Sequence, residues 1–498
     1  MDSEDKNTLH NYIQNQINNM PSVLNEELSY KNEKFNHRTD FGIITEHIDD
    51  FLNGENINRY IVLPGLRGVG KTTILYQTYD YLLKEKQIPA NQILYISCET
   101  LNKIIKCNVL ETVEQFINEI HLSSLMTLNK QIFLLIDESH FDNDWSLAGK
   151  IIYDKTKRIF MIFTGSSAIN LEYNAEAARR MLRYPINPLN YSQHLKLKFN
   201  YEPNNITNEL VNLIFNGKID SSKQLEHEIN NGLLNLIDYT SQKWNNYFKY
   251  GGFPSVMHDK NYRISQKKLL YSIDSIITKD LKTLQNINQN SEDYAYRLLK
   301  FLAQKVPGEI SQNTLADLIK SSPSTVNTIL GLLEKTHLIF HYEPYSGPNA
   351  RVKKSWQYYF ATPSLRHAIN TNWGFSPMNQ DEYEGILLEN LVASGLFNLK
   401  NNEEYFDFDI FFDPLKGGVD FLIRKGLENP IPIEVGHGNK TKRQVITAMN
   451  RYNSTHGIII SNTTKTIEKE DNIIYLPYKT FSLMWKKSKK KEEIDLSL

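Results

Sequence analysis

Two short clusters in this sequence have residue types and spacing that suit phosphate chemistry. The first is Gly65-x-x-x-x-Gly70-Lys71-Thr72, inside GLRGVGKTT. Glycines let backbone N–H groups close on phosphate oxygens, and a helix beginning at that point adds partial positive charge. Lys71 has the reach for β- and γ-phosphates, and the Thr72 hydroxyl is suited to ligate Mg²⁺. The expected cradle for ATP comprises Gly65, Arg67, Gly68, Val69, Gly70, Lys71, Thr72 and Thr73. The second cluster is Asp137-Glu138, ending the apolar run QIFLLI. Asp137 would hold the Mg²⁺ shell together with Thr72, and Glu138 would polarise an attacking water. An acidic pair at an ordinary strand end is the bland alternative, and its place downstream of a phosphate loop argues for the chemistry.

The elements that must position these residues are legible around them. Tyr60 to Leu63 is long enough for one buried strand, and Ile74, Leu75, Tyr79, Leu82 and Leu83 then recur at helical spacing. Residues 40–55 read as a helix with Ile43, Ile44, Ile48, Phe51 and Leu52 on one face. Ile93 to Ser97 is a second strand, Val109 to Leu125 an amphipathic helix, and Lys157 to Ser167 a third strand. In a parallel sheet the third strand would bring Thr164, Ser166 and Ser167 to the carboxyl edge, where ligands bind. Ser166 there either senses a γ-phosphate or belongs to an ordinary strand-to-helix turn. Arg179, Arg180 and Arg183 follow, and an arginine at this place can reach a phosphate in a neighbouring subunit. A solvated basic turn is the alternative.

Composition bounds the rest. A chain of 498 residues exceeds one ordinary core, and 56 Lys plus Arg against 57 Asp plus Glu leave no global charge for a polyanion. The two cysteines, Cys98 and Cys107, are too few for a disulfide framework and fit a reducing compartment. The opening MDSEDKNTLH is acidic where a signal peptide is basic and apolar, and no apolar run reaches membrane-spanning length. A soluble, cytoplasmic protein with no membrane partner is expected.

Residues 1–37 are a polar lead-in, and residues 200–240 turn Asn-rich and moderately helical before the break at Tyr250-Gly251-Gly252-Phe253-Pro254. Thr314 to Lys320 and Ser324 to Lys335 read as two helices, the second opened by an Ser322 cap and Pro323. Hydrophobic segments at His337 to Tyr342 and Trp356 to Ala361 make this a helix-turn-helix with a β-wing. Its second helix lacks base-reading arginines, and the basic residues sit in the wing at Arg351, Lys353 and Lys354. A packing or protein-binding role therefore stands beside DNA reading. The last stretch reads helix (Glu384 to Leu399), three strands, helix, strand. A hairpin of Val419 to Ile423 with Ile431 to Val435, closing near Leu427, sets residue 420 opposite residue 434. Asp420 and Glu434, with Glu389 on the preceding helix, are then candidate ligands for a divalent metal. A solvated acidic pair is the alternative.

Taken in order, GLRGVGKTT, LLIDESHFDNDW, FTGSS, YGGFP, ITKDL, GILLEN and VDFLIRK…PIPIEV resemble a large family of prokaryotic P-loop ATPases of the AAA superclass. Members of that family carry a winged helix and a C-terminal domain like PD-(D/E)XK nucleases. The resemblance spans about residues 38–462. It implies an α/β multidomain chain with an ATPase domain at 38–195, a helical lid or connector at 196–305, a winged helix at 306–365 and a nuclease-like domain at 380–485. It also implies Mg²⁺-dependent ATP hydrolysis, DNA as partner, a homo-oligomer, and Arg180 as a finger supplied to a neighbour. Two departures stand out. Arg179 precedes Arg180 where the family usually has glycine, and Glu434-Val435-Gly436 replaces the nuclease pattern Glu-x-Lys. Lys440 or Lys442 would have to substitute for that lysine, and a nucleotide-gated binding protein without cleavage is the other reading.

Overall fold

The computed structural model describes residues 3–166, 175–203, 205–281, 289–347, 355–374, 378–401, 407–437 and 442–484. Ser167, Arg351, Lys353, Lys354 and Lys440, named above, lie outside the described residues. The chain forms two compact units that meet in sequence between Asn187 and Pro188. That break falls earlier than residue 195 for a physical reason. Asn190 donates to the Met484 carbonyl (2.7 Å) and Tyr191 N–H to the Ser482 carbonyl (3.2 Å), so this segment is tied to the chain's far end.

The first unit is built on a sheet of β1 (Tyr60–Pro64), β2 (Ile93–Ser97), β3 (Ile132–Asp137), β4 (Ile159–Gly165) and β5 (Leu182–Arg183), in the order β2-β3-β4-β1-β5. Every pairing is parallel. β1, β3 and β4 are buried along their whole length, which is why they read as unbroken apolar runs. The helix at Val109–Ile120 opens on a capping box: Glu111 N–H donates to the Asn108 side chain (2.8 Å) and Asn108 N–H to the Glu111 carboxylate (3.1 Å). It stops five residues short of Leu125, because Leu122 takes a left-handed φ of 48° and stands 88% exposed instead of continuing the apolar face. The polar lead-in is one long helix, Ser3–Glu27, whose Leu9 and Ile13 join the same core as the sheet.

The second unit holds a mixed sheet of β6 (Ile310–Ser311), β7 (Ile339–Pro344), β8 (Ser355–Phe360), β9 (Phe408–Phe412), β10 (Phe421–Lys425), β11 (Ile431–Gly436), β12 (Gly457–Ser461), β13 (Glu468–Glu470) and β14 (Ile473–Pro477). Its order among the described residues is β13-β14-β12-β11-β10-β9-β7-β8-β6. Helices Gln312–Ile319 and Pro323–Lys335 precede the β7–β8 hairpin, and the Ser322 hydroxyl caps the second helix by accepting from Thr325 N–H (3.1 Å). The hairpin is not a separate wing in this sheet. β7 pairs parallel with β9, Phe411 opposite Glu343 and Phe412 opposite Pro344, so the sheet runs across the boundary expected between 306–365 and 380–485. Helices Ile206–Asn216 and Asp220–Leu234, expected as part of a lid or connector, are fastened to the C-terminal strands. His456 Nε2 lies 2.9 Å from the Ile214 carbonyl, and the buried Glu226 accepts from Ile467 N–H (2.7 Å) and the Thr480 hydroxyl.

His194, on helix Tyr191–Phe199, is buried with Tyr247 beside it at 5.1 Å between ring centroids. Burial, with nearby Lys198, pushes its pKa down to about 3. The unfolded chain therefore takes up the proton first, and stability is lost as pH falls below the unfolded value of about 6.5. At pH 5 this costs about 2 kcal/mol. Urea unfolding at pH 7.5 and pH 5 should show the gap between the two narrowing by that amount in His194→Gln. An unchanged gap would mean that His194 titrates normally.

Candidate functional site

The site forms where β1, β3 and β4 end. β1 passes into the Gly65–Gly70 loop, and the helix Lys71–Asp80 follows. Only glycine fits at 65, since a Cβ there would lie 2.5 Å from the Ile186 carbonyl of the adjoining β-bridge. Gly70 turns the chain into the helix at φ 98°, a conformation that side chains disfavour. The loop is also clamped from outside. Arg38, 4% exposed, pairs with Asp40 (3.0 Å) and donates to the carbonyls of Val69 (2.6 Å) and Asn187 (3.0 Å).

Lys71 and Asp137 are each only 5% exposed, so both charges have left bulk water. Lys71 Nζ donates to the carbonyls of Gly65 (2.8 Å) and Leu66 (3.0 Å). Asp137 Oδ2 accepts from the Thr72 hydroxyl (2.8 Å) and the Tyr95 phenol (3.0 Å), and Oδ1 accepts from the Thr164 hydroxyl. Burial and the neighbouring Glu138 charge raise the Asp137 pKa, while the Thr164 and Thr72 bonds and the Lys71 charge oppose that shift. Glu138 takes a left-handed φ of 52°, held by its N–H on Thr164 Oγ1 (3.2 Å). This turn aims its carboxylate at His140, whose Nδ1 lies 3.2 Å from Oε2. Burial, with Arg67 and Lys71 nearby, pushes the His140 pKa down to about 3, so the ring is neutral at physiological pH.

Lys71, Thr72, Asp137 and Glu138 thus come together, and Thr164 and Ser166 border them. The Ser166 hydroxyl is 1% exposed and has no hydrogen-bond partner among the described residues. An orphaned buried hydroxyl, an ammonium resting on carbonyls and a buried carboxylate ringed by hydroxyls fit a bound phosphate and divalent cation. Thr72 and Asp137 would hold Mg²⁺, which supplies charge neutralisation at the phosphates. Arg180 is engaged in its own chain, Nε to Asp154 Oδ1 at 2.6 Å and Nη1 to the Glu176 carbonyl at 2.8 Å. Sequence reading missed Arg38, Tyr95 and His140. Arg38 and Tyr95 act through contacts distant in sequence, and only His140, two residues from Glu138, carried a local signal.

In the second unit, Phe421 pairs with Ile433 and Leu422 with Pro432, a register that continues to Asp420 opposite Glu434. Asp420 Oδ2 accepts from Val435 N–H (2.7 Å), and Glu389 accepts from the Tyr359 phenol (2.8 Å). Among the described residues, no three His, Cys, Asp or Glu gather as a metal-binding group. Lys442, one of two substitutes for the missing lysine, is paired with Glu470 at 2.7 Å.

Residues 57–195 match the model of an AAA domain, and residues 241–376 match a domain of unknown function, DUF8612. An uncharacterized protein of Methanocaldococcus jannaschii, MJ1637, is 30% identical over 476 residues, covering 96% of this chain and 94% of its own length. The chain belongs to the same family as MJ1637. A second uncharacterized protein of that organism, MJ1544, is 25% identical over 377 residues, 74% of this chain and 72% of its own. Among solved structures, the Aeropyrum pernix ORC2 protein with ADPNP and ADP covers 66% of this chain and 91% of its own, at 13% identity and a TM-score of 0.32. That likeness is too slight to bear on the site. Among the described residues, no helix is long and apolar enough to cross a membrane.

Removing one partner of a buried ion pair leaves the other uncompensated, at a cost of about 3–5 kcal/mol. Arg38→Ala should destabilise the first unit by about that much and loosen the phosphate loop, as read by chemical denaturation and nucleotide affinity together. A change below about 1 kcal/mol would place Arg38 outside the clamp.

Proposed function

We propose that this protein is a Mg²⁺-dependent ATPase that works as a switch, with DNA as the partner of its second unit. The Thr72–Asp137 hydrogen bond carries the ATPase reading, because it joins the phosphate loop to the end of the strand that carries the acidic pair. Lys71 leaves its two carbonyls for the phosphates. Thr72, with its proton directed to Asp137, would offer its oxygen to Mg²⁺. Glu138, rotated away from His140, orients water, and Ser166 donates to the terminal phosphate. Arg180 serves as a finger only if the Asp154 pair opens on assembly into an oligomer.

Two observations bear on the second unit. Its two short helices before the β7–β8 hairpin and the Asp420–Glu434 register suit a winged-helix-like element whose strands are merged into a nuclease-like sheet. Gly436 stands where such a site has lysine, and Lys442 is held by Glu470. A binding role without efficient cleavage is favoured on those grounds. An ammonium beside the nucleophile contributes a few kcal/mol, so its loss slows cutting by roughly two decades or more.

Wild-type protein should hydrolyse ATP only with Mg²⁺. Lys71→Ala should lose nucleotide binding, and Glu138→Gln should bind and retain uncleaved ATP with turnover reduced about a hundredfold or more. Equal turnover in Glu138→Gln and wild type would remove Glu138 from the reaction. In parallel, plasmid and linear DNA with Mg²⁺ or Mn²⁺ should be bound but not robustly cut. Cutting abolished by Asp420→Ala would contradict the binding-only role.

A further inference from the structure

The mechanism above leaves Tyr95 unused, although its phenol reaches the carboxylate at the centre of the site. Tyr95 stands on β2 opposite Leu135 of β3, two residues short of the Ser97–Asp137 pair in the same register. Side chains two apart on a strand share a face, so the ring runs along the sheet and delivers its hydroxyl to Asp137 Oδ2 at 3.0 Å. The ring is 7% exposed, and Tyr76 packs against it at 5.2 Å between centroids. Tyr76 lies one helical turn beyond Thr72 on the helix that follows the phosphate loop. The end of β2 is itself pinned, since Ser97 N–H donates to the Tyr12 hydroxyl (3.0 Å) on the N-terminal helix.

We propose that Tyr95 is a positioning residue for the Mg²⁺ shell, acting through Asp137; this rests on the ATPase reading. Asp137 Oδ2 has two donors with different duties. The Thr72 hydroxyl would also be a ligand of the cation, so its orientation would be shared with the metal. The Tyr95 phenol instead sits on a buried ring packed against Tyr76. It fixes the carboxylate's orientation before the cation arrives, and the Thr164 hydroxyl does the same for Oδ1. Removing only the phenolic oxygen keeps the ring but takes away one of the two donors to Oδ2, together with the phenol's hydrogen bond to Tyr76, so that the carboxylate plane is held by Thr72 and Thr164 alone. The cation would then have to order Asp137 at its own expense.

The test is Tyr95→Phe, read by the affinity of a fluorescent ATP analogue with and without Mg²⁺. Mg²⁺ should strengthen binding in the wild type, and the variant should lose about tenfold of that gain, the value of one hydrogen bond to a charged group. Metal-free nucleotide affinity should stay close to wild type, the thermal midpoint should fall by a few degrees as buried Asp137 loses one donor, and the Mg²⁺ concentration giving half-maximal turnover should rise by a similar factor. An unchanged Mg²⁺ gain would overturn the proposal. So would an equal loss with and without metal, or failure of the variant to fold, since either makes Tyr95 a packing residue. If wild type binds Mg²⁺ and the analogue while Tyr95→Phe matches it, only this proposal falls. If wild type shows no Mg²⁺-dependent binding, the ATPase reading falls with it.

Discussion

Two opposite charges, Lys71 and Asp137, are withdrawn from water at the carboxyl edge of one parallel sheet. Burying a charge is costly unless hydrogen bonds replace its hydration. Much of the first unit can be understood as meeting that demand. Glycines 65 and 70 let the loop close so that its own carbonyls receive the Lys71 ammonium. Three strands each contribute to Asp137: β3 carries it, while β2 and β4 bring the Tyr95 and Thr164 hydroxyls. Arg38 holds the loop's outer carbonyl so that this arrangement does not relax.

The same demand explains which parts were legible in the sequence. Glycines at fixed spacing, a lysine and a threonine at a helix start, and an acidic pair after an apolar run are local patterns, and the strands expected from Tyr60, Ile93 and Gln131 lie within a residue of where the structure has them. The hairpin register around Leu427 was legible too, because a symmetric turn fixes opposite residues. Tyr95 and Arg38 were not, because each matters through a partner more than thirty residues away in sequence. Leu122 misled the helix boundary because apolar spacing continues past a left-handed turn that the pattern does not register.

In the second unit the long-range pairing of β7 with β9 was the missing piece. Neither strand's sequence announces it, since both alternate or run apolar whichever neighbour they take. Its consequence is that the hairpin after the two short helices shares one hydrogen-bonded sheet with the strands carrying Asp420 and Glu434. Tyr359, on β8 beside that pairing, hydrogen-bonds Glu389, so the acidic residues and the hairpin are not chemically independent.

A crystal structure with Mg²⁺ and a non-hydrolysable ATP analogue tests the central claim most directly. Lys71 Nζ should leave the Gly65 and Leu66 carbonyls for the β- and γ-phosphates, with Thr72 and Asp137 together at the cation. Nucleotide bound elsewhere, or Lys71 still on those carbonyls with the analogue present, would contradict the account.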